Sequence, residues 1–134
     1  MSPDNLDDIE IDKALAAPWY SYKVTVHRVI DGDTVDMIVD YGFGLKQKQR
    51  IRLLHVDTPE RGHEKWGVAT ETLRMFLEMA AKRDPEGKDR LHLVSHKTGK
   101  YGRWLGEIYS LDMVINITAD MEELWPYQGR DIRW

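Results

Sequence analysis

The stretch VTVHRVIDGDTVDMIV, residues 24–39, decides the architecture. Val24 and Val26 alternate with polar neighbours before the Asp-Gly pair, and Val35, Met37 and Val39 alternate after it. A period of two is the mark of half-buried strands. Between the two runs, Asp31-Gly32 predicts a tight hairpin, because a type I′ turn needs positive φ at both central residues and this pair tolerates it. Asp33 is then expected at the start of the returning strand.

Working outward, Ile51 and Leu53 continue the alternation into a third strand, with Gly42 and Gly44 punctuating the connection. Over residues 64–82 the apolar side chains Ala69, Leu73, Phe76, Leu77 and Ala80 recur at helical spacing, and Asp84-Pro85-Glu86-Gly87 stops the pattern. Two more strands fit residues 90–95 and 103–109, and a short helix fits residues 115–124. Three strands, a helix, two strands and a helix predict a mainly β protein with helices (α+β), built as a five-stranded antiparallel barrel of the OB type. Residues 1–20 carry Asp4, Asp7, Asp8, Glu10 and Asp12 with Pro3 and Pro18 and little apolar periodicity. They are expected to be a flexible lead-in to a single domain spanning 21–134.

Composition narrows the chemistry. The 134 residues suit one core, and the absence of cysteine excludes disulfides, thiolate metal ligands and a cysteine nucleophile. Any metal must be held by oxygen or imidazole. The net charge of -4 argues against a protein that coats nucleic acid through a broad basic surface. Much of that charge sits in the first seventeen residues, however, so clustered cations elsewhere can still bind a polyanion. No apolar stretch is long enough to span a bilayer, and the N-terminus is acidic where a signal peptide would be basic. A cytoplasmic monomer is expected, with secretion of a mature form and oligomerisation left open.

Three segments carry candidate chemistry. Residues 29–35 place a carboxylate, Asp33, just beyond a tight turn. Residues 52–60 place Arg52, Asp57 and Glu60 around the pre-proline Thr58, whose carbonyl is held in an extended geometry by Pro59. Carboxylate and carbonyl oxygens together suit a hard cation such as calcium. Residues 100–103 form a glycine turn that delivers Arg103. An arginine fork matches phosphate oxygens better than lysine does, and phosphodiester hydrolysis needs a positioned water and cations against the charge growing on those oxygens.

In these three segments, residues 30–35, 52–60 and 100–103 followed by Leu105 and Ile108-Tyr109, the chain resembles the staphylococcal nuclease, or thermonuclease-like, family. The resemblance spans residues 22–127 and implies a five-stranded barrel with two or three helices. It implies that one calcium ion per site is bound by the carboxylates of Asp33 and Asp57 and the carbonyl of Thr58. Arg52 and Arg103 would grip the scissile phosphate, and Glu60 would orient or deprotonate the attacking water. The activity implied is calcium-dependent endonuclease cleavage of DNA and RNA with little sequence preference, leaving 3′-phosphate ends. The alternative is a catalytically silent OB-type module that binds nucleic acid or protein, but the complete set of Asp33, Arg52, Asp57, Glu60 and Arg103 favours the enzyme.

Around this set, Lys100, Tyr101, Tyr127 and Arg50 are candidates for substrate contacts. Lys46, Lys48, Arg50 and Arg52 alternate along one strand, so they share a face and either track a phosphate backbone or protect an edge from pairing. Tyr127 either packs against a base or fills the core. Asp31 is read as a turn residue, His55 as lying against the barrel, and Trp66 and Trp104 as packing anchors.

Overall fold

The computed structural model describes residues 20–98 and 104–127. Residues 1–19, together with Lys100, Tyr101 and Arg103, lie outside the described residues. The elements are β1 (Tyr20–Asp31), β2 (Thr34–Gly42), β3 (Leu45–Leu53), α1 (Trp66–Ala81), β4 (Leu91–Thr98), β5 (Trp104–Ser110) and α2 (Ile117–Leu124). The strands close a barrel in the order β1-β2-β3-β5-β4. The expected five-stranded, mainly β architecture with helices is the one observed.

The alternation identified the core faces except at Val26, which is exposed beside a register shift in β1. Val24, Val35, Met37, Val39, Ile51 and Leu53 all point inward and are buried. Leu91, Leu93 and Ile108 complete the barrel interior from β4 and β5. Helix α1 closes the core with Leu73, Leu77 and Ala80, while Met75 and Met79 on its other face remain exposed. Burying each of those leucines contributes on the order of 2 kcal/mol. The helix ends at a knot around Asp84, whose carboxylate accepts from the Glu86 and Arg90 backbone N–H groups and from the Arg90 guanidinium. That arginine holds the Asp84 carboxyl well below the usual carboxylate range.

Two expectations are corrected. The barrel is not wholly antiparallel, since β3 and β5 pair in parallel through Ile51, Arg52 and Leu53 against Trp104, Leu105 and Gly106. The connection through α1 and β4 brings the chain back in the same direction as β3. The hairpin also turns one residue later than expected. Asp31 pairs with Thr34, so the loop is Gly32-Asp33, and neither residue has positive φ. A register shift between Val29 and Asp31 moves the turn forward. Gly32 is required here for closeness: a Cβ on it would stand 2.8 Å from both the Ala69 Cβ and the Thr58 Cγ2.

Candidate active site

Because the turn is displaced, Asp33 sits in the loop itself, facing the segment that leaves β3. Its backbone carbonyl accepts from Leu53 N–H at 2.8 Å, which fixes the loop to the end of β3. Its Oδ1 accepts from the Thr34 hydroxyl at 2.9 Å and its Oδ2 from the Thr58 N–H at 3.1 Å. Arg52, opposite Thr34 on β3, completes the arrangement. Its Nη1 lies 2.9 Å from Asp33 Oδ2 and donates to the Val56 carbonyl at 2.6 Å, while its Nη2 donates to Asp57 Oδ1 at 2.5 Å. One guanidinium therefore bridges the two carboxylates that the sequence singled out. Two of these contacts are hydrogen bonds, to the Val56 carbonyl and to Asp57, and the third is an ion pair with Asp33.

Asp57 is 1% exposed, and its backbone N–H donates to the Trp125 carbonyl. The same stretch pairs Val56 with Pro126, and Tyr127 N–H donates to the His55 carbonyl. The chain leaving α2 thus runs beside the chain leaving β3. This pairing carries Tyr127, 61% exposed, to the rim of a cleft of about 420 Å³ that it shares with Arg52, Leu54, His55 and Leu105. Tyr127 is accordingly a cleft residue rather than a core residue. His55 does not lie against the barrel as expected. It is exposed, and its φ of 63° turns it outward, a conformation histidine tolerates better than most residues.

Glu60 is exposed three residues beyond Asp57, and its carboxylate makes no hydrogen bond or ion pair with a described residue. Its backbone carbonyl accepts from His63 N–H in the turn leading to α1. Arg50 is engaged elsewhere: its Nε and Nη2 hold both oxygens of Asp36 at 2.8 and 3.1 Å. That fork keeps the Asp36 carboxyl below its ordinary range. Trp66 is a packing anchor with a second duty that sequence spacing did not reveal. Its indole N–H donates to Asp31 Oδ1 at 2.5 Å, tying the first residue of α1 to the hairpin, and Arg61 stacks over its ring.

Among the described residues, no group of three or more His, Asp or Glu side chains is arranged to hold a metal. The donors at Asp33, Asp57 and Thr58 are nevertheless all hard oxygens, which fits a calcium or magnesium ion. The buried Thr58 Oγ1 has no hydrogen-bond partner, so this spot has unused oxygen capacity beside Asp33. No described helix is long and apolar enough to cross a membrane.

Comparison with known proteins adds to this geometry. The chain is 28% identical to a micrococcal nuclease of Shigella flexneri over 92 residues, 69% of this chain and 45% of that protein. The chain is similar to a nuclease. It is also 37% identical to Protein ParB of Escherichia coli over 97 residues, 71% of this chain and 46% of that protein. The chain spans less than half the length of both relatives. No protein-family model matches it.

Proposed function

We propose that this chain is a calcium-dependent nuclease that hydrolyses phosphodiester bonds of DNA and RNA with little sequence preference. The observation that carries this reading is the bridge of Arg52 across Asp33 and Asp57 at the mouth of a cleft lined by Tyr127, with the carboxylate of Glu60 nearby in the chain and exposed. The similarity to a micrococcal nuclease supports it.

In this reading Arg52 is held by the Val56 carbonyl and Asp57 and paired with Asp33, so its guanidinium is preorganised to receive phosphate oxygens as negative charge grows on them. Arg103, outside the described residues, is assigned the same task. Glu60 takes up or orients the proton of the attacking water. Tyr127, with Tyr101 and Lys100, packs against the sugar, base and flanking phosphate, contacts that read shape more than base identity. Asp33, Asp57 and the carbonyl of Thr58 are assigned to calcium, which would supply Lewis acidity at the phosphoryl oxygens. Attack with departure of the 5′-oxygen gives 3′-phosphate ends. Arg50, bound to Asp36, would serve as a contact further along the strand.

Digestion of a single-stranded oligonucleotide with calcium, and again with excess chelator, tests the reading. Cleavage that chelator abolishes supports it. Full activity in chelator removes the metal assignment, and binding without turnover under any divalent ion leaves a silent binding module.

A further inference from the structure

The outward side chains of β1, β2 and β3 form a regular grid. Across the sheet, Lys23, Asp40 and Lys46 lie in one row, Thr25, Ile38 and Lys48 in the next, Arg28, Asp36 and Arg50 in the third, and Asp31, Thr34 and Arg52 in the last. Residues directly opposite in an antiparallel pair share a face, so the cations form two rails, on β1 and β3, beside a central column on β2. Two strand spacings separate the rails by about 10 Å.

The two carboxylates of the central column are already committed. Asp36 is held by the Arg50 fork, and Asp40 accepts from Gly42 N–H at 2.8 Å. Lys23, Arg28, Lys46 and Lys48 are exposed, and none has a carboxylate within ion-pair distance among the described residues. With Arg50 paired to Asp36 and Arg52 to Asp33 and Asp57, a chain of net charge -4 still leaves four cations on this sheet face, Lys23, Arg28, Lys46 and Lys48, outside any ion pair among the described residues. The β3 rail also ends at Arg52.

We propose that the β3 rail, Lys46, Lys48 and Arg50, is a binding track for the phosphate backbone of a nucleic-acid strand leaving the Arg52 cleft. The inference rests on the reading of that cleft as a nucleic-acid site. From Arg52 to Lys46 is six residues, or about 20 Å of extended strand. That length spans about six phosphates at the ~3.4 Å per-strand spacing of a duplex, and fewer in a stretched single strand. Lysines on a flat sheet face contact phosphate as point charges and carry no base preference. The track therefore adds affinity for length, not for sequence.

The test compares the parent with Lys46→Gln/Lys48→Gln for binding of a thymidine dinucleotide and of an oligothymidylate of about twelve residues, in chelator so that no turnover interferes. Two lost contacts at about 0.7 logarithmic unit each predict about 25-fold weaker binding of the long strand at 0.1 M salt. The salt slope should fall by about 1.4, while dinucleotide affinity stays the same. Equal losses on both ligands, or no loss on either, overturn the track. Self-association of the variant with unchanged oligonucleotide affinity does so too, because it assigns the lysines to discouraging strand pairing. Should the double variant fail to fold, Lys48→Gln alone is expected to show half the slope change. A parent that binds in this length-dependent way but never cleaves defeats the nuclease reading and leaves the track standing.

Discussion

Replacing Gly32 by alanine probes the contact on which the site is built. The added Cβ would lie 2.8 Å from the Ala69 Cβ, 2.8 Å from the Thr58 Cγ2 and 3.0 Å from the Ala69 carbonyl carbon. Comfortable carbon contacts need about 3.5–4.0 Å, so either the hairpin or α1 must retreat by close to 1 Å. Neither neighbour can yield cheaply, since Ala69 is wholly buried in the helix and Thr58 is 3% exposed. Overpacking of this kind costs about 1–3 kcal/mol, and contact with a helix backbone places Gly32→Ala near the upper end. At about 4 °C per kcal/mol for a domain of this size, the melting temperature should fall by roughly 10 °C. The same displacement pulls Asp33 from the Thr58 N–H and from Arg52, and a 1 Å misplacement lowers turnover by about a hundredfold. Gly67→Ala is the control: no atom lies within 4 Å of its added Cβ, and in helix α1 it should stabilise by about 0.5–1 kcal/mol. Parent-like melting and turnover in Gly32→Ala would show that the hairpin does not pack on α1 as described.

Arg52→Ala should lose stability as well as turnover. It removes the bridge between Asp33 and Asp57, which costs about 3 kcal/mol in urea unfolding, and an unchanged midpoint would show that the bridge is not structural. Trp66→Phe keeps an aromatic, though smaller, ring and loses the indole bond to Asp31, so the lost bond should cost about 1–2 kcal/mol, as measured by thermal melting. Asp36 and Asp84 are both held below their ordinary range, chiefly by Arg50 and Arg90. Their contribution is full above the unfolded-chain value of about 4 and is lost as pH falls through the depressed values. The urea midpoint should therefore drop between pH 5 and strong acid less steeply in Asp36→Asn/Asp84→Asn than in the parent, and parallel curves would contradict this.

The core was legible on β2, where Val35, Met37 and Val39 are buried as the period-two pattern requires, but not at Val26, which stands exposed beside a register shift in β1. The cluster of Asp33, Arg52 and Asp57 was singled out through motif spacing, and the fold brings these three side chains together. What escaped was set by contacts between distant segments. The hairpin turned at Gly32-Asp33 because of a register shift in β1 and the close approach of α1, neither of which Asp-Gly chemistry encodes. The Trp66–Asp31 bond links residues 35 apart, and the parallel closure of β3 on β5 depends on the whole intervening path. The outward turn of His55 needed a left-handed backbone that an apolar neighbourhood gave no reason to expect. Arg50 was singled out from its alternation with Arg52. Only the cross-strand register exposed its partner, Asp36.

In the proposed reaction the carboxylate of Glu60 serves hydrolysis rather than folding or binding. Glu60 is exposed, and its carboxylate bonds to no described residue, so Glu60→Gln should leave stability intact. The decisive measurement is the rate of oligonucleotide hydrolysis in calcium alongside oligonucleotide affinity without turnover, each for the parent and Glu60→Gln. Turnover is expected to fall by about a hundredfold or more, with affinity equal or higher because a charge unfavourable to the polyanion is gone. Hydrolysis at the parent rate, or equal losses in rate and affinity, would contradict it.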